Sequence, residues 1–335
     1  MPEAPHRPSL RITGMHIERL KAIESLTLPE DGLGWAGEIP SVVMVGGMNG
    51  AGKTTLLRFI VEVLIEASGG FGRPMSSDDC AWMDFEVVAR TGQHLAMRYV
   101  VGPAEFFDAV AKPISIGFRA GKKFHRGQWG ALAHLVKEDV SAIPGVVFLP
   151  SDERDLKLPP ESYKAPGMLA STTNFVYRWS PPKRWKDSLE ALLYGLRWEE
   201  LNAQAEGRTT PGAFSAYAEE YHQLTGGANR LVWHNAVLMV DVDGQLHPLE
   251  ELSSGERQVL LLLAELRRHW RPGSLVLIDE PELHLHDVLQ ARLYDRLLAL
   301  QRERGGQVWL ATQSGYLFEV AEPNTRVILR RKSAE

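Results

Sequence analysis

Residues 47–54 read GMNGAGKT and match the pattern G-x-x-x-x-G-K-[ST]. No other stretch restricts the fold as much, because such a glycine loop works only where a strand delivers the chain to it and a helix takes the chain away. Both flanks are present. SVVMV (41–45) is a short β-branched run, and KTTLLRFIVEVLIE (53–66) has apolar side chains at helical spacing. The glycines would let main-chain N–H groups wrap phosphates, Lys53 would reach the β and γ phosphates, and the Thr54 hydroxyl suits Mg2+. A tight glycine turn with a surface lysine is the plainer reading, and the strand, loop and helix in sequence argue against it.

A second stretch, LVLIDEPELHLH (275–286), places two carboxylates directly after four apolar residues. Those four residues predict a strand buried on both faces. Asp279 and Glu280 then fall at its carboxyl end, where doubly wound sheets bind ligands. In that position Asp279 would bind Mg2+ directly or through water, and Glu280 would polarise an attacking water as general base. SLVLIDE and QVWLATQS (307–314) are apolar runs separated by the helical segment DVLQARLYDRLLALQRE, which is a βαβ unit and implies a parallel sheet. Glu282, His284, His286 and Asp287 lie close enough to suggest a metal site. The i, i+2 spacing of the histidines instead suits opposite faces of an extended chain.

LSSGERQ (252–258) precedes the apolar run VLLLLAEL. Ser253 and Glu256 fit the S-x-x-E capping box, which satisfies two orphan N–H groups at a helix start. A helix N-terminus also carries roughly half a positive charge and suits an anion. The stretch alone does not choose between these readings.

Elsewhere, 10–28 alternates as two half-buried strands joined by a turn, and 82–101 reads as an antiparallel hairpin around TGQ. Residues 128–142 look helical, and GVVFLP (145–150) is a short buried strand ended by proline. LPPESYKAPGMLASTTN reads as loop or linker. Leu189, Leu192, Leu193 and Leu196 make one stripe and Phe214, Tyr217 and Tyr221 another, predicting two helices of a smaller lobe. Strands follow at about 230–248.

The balance of 37 Lys plus Arg against 42 Asp plus Glu, a formal charge of −5, gives no whole-chain signal for nucleic acid. Any such contact must use local patches. GKKFHRG (121–127) and PPKRWK (181–186) are candidates for tracking a DNA or RNA backbone, with a solvated surface as the ordinary explanation; RRK (330–332) is a third basic run. RRHWR (267–271) is better explained by cations at a helix C-terminus. Cys80 is the only cysteine, so an internal disulfide and a multi-cysteine zinc site are excluded and a reducing compartment is expected. With no apolar leader run and no stretch long enough to span a bilayer, the sequence predicts a cytoplasmic protein.

The order of GMNGAGKTTLL, LSSGERQ, LIDEPELHLH and ATQS resembles that of the phosphate loop, signature, Walker B and switch motifs of ABC-type ATPases, above all RecF-like and OLD-like ones. Transporter subunits tend instead to LSGGQ and DEPTSALD. The resemblance implies an α/β P-loop NTPase head with an antiparallel β-subdomain and a smaller helical lobe. It divides the chain into 1–150 for the N-terminal part of the core, 151–250 for the helical lobe and linking strands, and 251–335 for the remainder of the core. ATP and Mg2+ are the implied cofactors, nucleotide being bound by Asn49, Gly50, Ala51, Gly52, Lys53, Thr54 and Thr55. It further implies a head-to-tail dimer in which Ser253, Gly255 and Glu256 face the neighbour's ATP, with His286 and Asp287 near the joint. The signature would then be both cap and anion site. The switch position, commonly histidine, is Gln313, which can hydrogen-bond a phosphate or orient water but does not titrate near neutrality. Slow or partner-dependent turnover is therefore expected.

The junction VVFLPSDERDL lacks the family's Q-loop glutamine, leaving Glu153 or Arg154 as substitutes, and RLKAIESL is the region from which an adenine contact would come. The chain ends shortly after the switch motif, so the nuclease domain of OLD-type proteins is expected to be absent. The resemblance implies a separately encoded effector, in bacterial antiphage defence or DNA maintenance. A transporter subunit and an ATP-dependent scaffold with little turnover are the alternatives.

Overall fold

The computed structural model describes residues 7–29, 37–72, 78–112, 115–119, 122–126, 130–151, 174–182, 188–208, 212–235 and 237–330. The chain opens with β1 (Ser9–Arg19) and β2 (Leu26–Leu28), which pair antiparallel. β3 (Val42–Gly46) then feeds α1 (Lys53–Ala67) through the glycine loop. β4 (Cys80–Val88) and β5 (His94–Gly102) form the expected hairpin. α2 (Ala104–Val110) leads to a second hairpin, β6 (Ser115–Arg119) and β7 (Lys122–Arg126). α3 (Ala131–Asp139), β8 (Val146–Leu149) and the short β9 (Val176–Arg178) follow.

The helical lobe is α4 (Leu189–Ala205) and α5 (Ala213–Leu224). A three-stranded antiparallel sheet comes next, built from β10 (Asn229–His234), β11 (Val237–Val242) and β12 (Gln245–His247). α6 (Ser254–His269), β13 (Leu275–Asp279), α7 (Asp287–Arg304), β14 (Gln307–Ala311), α8 (Gly315–Val320) and β15 (Arg326–Ile328) complete the chain.

The second large sheet has the order β15-β3-β14-β13-β8-β9, and every pair in it is parallel. Its central strands have no polar face because both faces are covered. Val43, Val45, Leu277 and Trp309 point into one core with α1 and the first sheet; Met44, Val276, Ile278 and Leu310 point into the other with α6 and α7. Alternation thus persists along each strand, but both phases are apolar. The first sheet, β2-β1-β4-β5-β6-β7, packs one face on that first core through Ile12, Met83, Phe85 and Met97. Its β5–β6 pair is parallel, with α2 in the connection, so the β-subdomain is antiparallel except at this one joint.

Buried polar groups lock these layers. The Gln307 side chain in β14 accepts from Ile12 N at 2.9 Å and donates to Pro40 O at 3.0 Å, pinning β1 to the parallel sheet. The Tyr217 hydroxyl of α5 donates to Leu260 O of α6 at 2.7 Å, fastening the lobe to the signature helix.

Three expectations are amended. The helix at 128–142 is shorter, 131–139, continued by a 3-10 turn at 140–142. The basic run at 121–127, read only as a surface patch, contributes Lys122–Arg126 as a strand paired antiparallel with Ser115–Arg119. The expected linker LPPESYKAPGMLASTTN lies, up to residue 173, outside the described residues, and β9 after it adds an unpredicted edge strand to the core sheet.

Candidate functional site

β3, β14 and β13 lie side by side and parallel, so the segments after their carboxyl ends converge. The first is the glycine loop, the second is Thr312–Ser314, and the third is Asp279 and Glu280. This puts the sequence's separate motifs at one edge of the sheet, in the position where open α/β sheets bind ligands.

The glycine loop is shaped by contacts a side chain would break. Gly52 caps α1 at φ +97°, and a Cβ there would lie 2.6 Å from Ile23 Cγ1. Ile23 belongs to RLKAIESL, so that stretch sits directly against the loop. Gly52 offers α1 no side-chain cap, leaving the first-turn N–H groups of the helix for another acceptor. Met48, Asn49 and Gly50 are exposed, whereas Ala51 and Gly52 are buried and Thr54 and Thr55 half-buried. Lys53 is only 6% exposed, and its ammonium donates to Gly47 O at 2.6 Å and Met48 O at 3.2 Å. A buried ammonium is costly unless hydrogen-bonded. Its two carbonyl partners hold it across the mouth of the loop.

Thr54 Oγ1 donates to Asp279 Oδ2 at 2.8 Å, although 225 positions separate them. Asp279 is fully buried. Ser151 Oγ donates to the same oxygen at 2.8 Å from the end of β8, the other parallel neighbour of β13. A hydroxyl and a carboxylate in contact beside a phosphate-shaped loop are a donor set that fits Mg2+, which takes oxygen ligands and keeps several waters. Sequence reasoning passed over Ser151. Its only signal was its place after a short buried strand. Glu153 and Arg154, the proposed Q-loop substitutes, lie outside the described residues.

Glu280 has a left-handed backbone, φ +48°, and its N–H donates to Ala311 O at 2.7 Å. Glu280 is half-buried, while Gln313, after the end of the neighbouring strand, is exposed. Glu282 was considered only as a metal ligand. In the structure its Oε1 accepts from Thr312 Oγ1 at 2.6 Å, Gln313 N at 2.8 Å and Ser314 N at 3.1 Å. His286 caps α7 by accepting from Leu289 N, and His284 is exposed with φ +64°.

The signature forms the predicted capping box. Ser253 Oγ accepts from Glu256 N at 3.3 Å, and Glu256 Oε2 accepts from Ser253 N at 2.9 Å. Asn229 Nδ2 donates to the other carboxylate oxygen at 2.5 Å. Burial pushes the Glu256 carboxyl up, but the hydrogen bonds from Ser253 and Asn229 outweigh it and hold the group below the usual glutamate range. Ser253 and Ser254 are exposed. Gly255 is buried, and a Cβ there would stand 2.7 Å from His284 O. The signature helix therefore abuts the turn after β13.

Arg267, Arg268 and His269 occupy the last turn of α6, as expected for cations at a helix C-terminus. Of the basic patches, Lys122–Arg126 forms β7; residues 183–187 and 331–335 lie outside the described residues. No helix among the described residues is long and apolar enough to cross a membrane.

A family model described as "AAA domain, putative AbiEii toxin, Type IV TA system" matches residues 119–319, well over half of the chain. The signature, the acidic strand end and the switch segment fall inside that match, and the phosphate loop precedes it. Among solved structures, this chain is similar to an Smc head bound to the C-winged-helix domain of ScpA, at 14% identity, covering 91% of this chain and 90% of that one with a TM-score of 0.46. An Smc head with an extended coiled coil, bound to the C-terminal domain of ScpA derived from Pyrococcus furiosus, matches at 13% identity over 92% and 91% of the two chains, TM-score 0.43. The SMC head from Thermotoga maritima matches at 12% identity over 93% and 92%, TM-score 0.42. Comparison with curated proteins found no match. Its parallel sheet brings the phosphate loop and the acidic strand end together, and with a family match over more than half of its length the chain belongs to this AAA domain family.

Proposed function

We propose that the chain binds ATP with Mg2+, hydrolyses it, and closes head to tail on a second copy while doing so. The observation that carries this reading is the contact between Thr54 and Asp279, which joins the phosphate loop to the acidic strand end. Backbone N–H groups of residues 49–55 and the Lys53 ammonium would cradle the phosphates. Thr54 and Asp279 would hold Mg2+, which supplies charge neutralisation at the β and γ phosphate oxygens. Glu280 takes the proton of the attacking water, and Gln313 orients that water from the end of the neighbouring strand.

The exposed Ser253 favours a role in trans. A cap needs no exposure, whereas a residue meeting a neighbour's triphosphate does. On this reading the N-terminus of α6 serves its own helix in the open state and gains a phosphate partner in the closed one. The matched family's description names a toxin and a type IV toxin–antitoxin system, which supports work beside a separately encoded partner; antiphage defence or DNA maintenance is the setting we propose for it. Cytoplasmic location and any DNA or RNA contact through 121–127 or 181–186 belong to the same proposal.

Nucleotide titration and light scattering test it together. Lys53→Ala should abolish ATP binding. Glu280→Gln should bind ATP, associate in its presence, and hydrolyse it about a hundredfold or more slowly, the loss expected for a missing general base. Binding unchanged in Lys53→Ala would refute the nucleotide site. Purifying tagged Glu280→Gln with ATP and identifying its bound proteins and nucleic acids tests the effector.

A further inference from the structure

We infer that Glu282 is a positioning residue. Its carboxylate holds the switch segment against the turn after β13 and so sets where Gln313 stands relative to Glu280. The inference rests on the ATPase reading and adds a residue that reading does not use.

The argument begins with burial. Glu282 is 7% exposed, and among the described residues its Oε2 has no hydrogen-bond partner, so the cost of burying an ionised carboxylate is offset at Oε1. The donors it has found are not scattered. The Thr312 hydroxyl, the Gln313 N–H and the Ser314 N–H come from three consecutive residues and converge on one oxygen, at 2.6, 2.8 and 3.1 Å. Hydrogen bonds to a charged acceptor are stronger than neutral ones, and three on one atom fix the direction of the chain as well as its distance. The Thr312 hydroxyl also accepts from Ser314 N at 2.9 Å, tightening the same turn. Gln313 is thus held by its main chain, and the residue is exposed.

The other end of the link is equally fixed. Glu282 sits two residues after Glu280, inside a turn closed by Leu283 N on Glu280 O at 3.1 Å and Leu285 N on Glu282 O at 2.8 Å. Glu280 N in turn donates to Ala311 O, one residue before Thr312. Two bridges therefore join the segments that carry the two water-handling residues. The Glu280 bridge is main chain to main chain and does not depend on a side chain. The Glu282 bridge is a side chain and does not.

Steady-state hydrolysis by the full chain tests this in two backgrounds. Glu282→Ala should lower kcat by about 10- to 100-fold, the range for groups that orient reacting residues, with KM for ATP changed less than about twofold. Glu282→Gln should recover part of the loss, because its amide oxygen can accept the same donors. In a Gln313→Ala background, Glu282→Ala should cost nothing further. An equal loss in both backgrounds, or a KM that rises with the fall in kcat, would overturn the inference.

If Glu282→Ala does not fold, Thr312→Val removes one donor at similar shape and should show a smaller loss that also vanishes beside Gln313→Ala. Amide exchange over 312–318 decides the holding role without any turnover: it should accelerate in Glu282→Ala, and unchanged exchange would contradict the proposal. A wild-type chain that does not hydrolyse ATP would instead refute the ATPase reading, leaving the exchange result to decide the role of Glu282.

Discussion

Thr54 Oγ1 lies 2.8 Å from Asp279 Oδ2, a contact that joins the phosphate loop to the acidic strand end. The contact follows from strand order. β3, which delivers Thr54, and β13, which ends in Asp279, flank β14 in a parallel sheet, so both present their carboxyl ends to the same edge.

Ser151 shares that carboxylate oxygen with Thr54. Ser151→Ala should therefore lower apparent Mg2+ affinity by about tenfold, the usual effect of losing a group that orients a metal ligand, while ATP binding without metal stays the same. Hydrolysis measured across a Mg2+ titration checks this. A midpoint that does not move would remove Ser151 from the site.

Gly255 is required by a close approach rather than by its own backbone angles. Gly255→Ala would push a methyl carbon to within 2.7 Å of the His284 carbonyl oxygen, and the turn cannot yield without disturbing Leu285 and Glu282. Overpacking of this kind costs about 1–3 kcal/mol, readable as a lower midpoint in urea unfolding. The same shift should weaken ATP-dependent association, since the signature helix would no longer sit against that turn.

The capping box gives stability a pH dependence of known sign. The folded Glu256 carboxyl lies below its ordinary value of 4.5, so its contribution is complete above about that pH and is lost as pH falls through the lower folded value. Glu256→Gln should flatten the acid limb of the stability profile there and leave the profile above pH 5 parallel to wild type. A steeper acid limb in the variant would contradict this.

His269 acts nearer neutrality. Burial lowers its folded value below 6.5, against the opposing hydrogen bond and charge of Glu265, so the native state holds it neutral. It stacks on Tyr177 at 3.4 Å between ring centroids, and the Tyr177 hydroxyl donates to Glu265 at 2.5 Å. Its stabilising effect should be present above about pH 6.5 and decline as pH falls below that. Melting curves of wild type and His269→Phe between pH 5 and 8 should converge at the acid end. Parallel curves would show that His269 does not titrate on unfolding.

The sequence disclosed what is encoded locally. GMNGAGKT, LSSGERQ and LIDEPELHLH each carry their chemistry within a dozen residues, and the helical spacing of α1, α4, α5 and α7 and the βαβ unit of β13, α7 and β14 are likewise local patterns. Pairings across long separations were not legible. Ser151 reaches Asp279 only because β8 lies beside β13, and no spacing rule announces that neighbour. Glu282 stood in view among possible metal ligands, yet its partners are thirty residues onward and two of them are main-chain N–H groups, which leave no mark on composition. β6, β7 and β9 escaped for a different reason. Lysines and glycine interrupt the alternation of the hairpin, and β9 has three residues, too few for any period to show.

Mixing two inactive variants tests the central claim most directly, namely that each ATP is completed by a second copy. Lys53→Ala disables the phosphate loop and keeps the signature. Ser253→Asp keeps a good helix cap but sets a negative charge against a neighbour's triphosphate. Each alone should hydrolyse little ATP. Combined, the phosphate loop of the second and the signature of the first make one intact site, so mixing should restore hydrolysis; a mixture as inactive as its components, with both chains folded, would contradict assembly in trans.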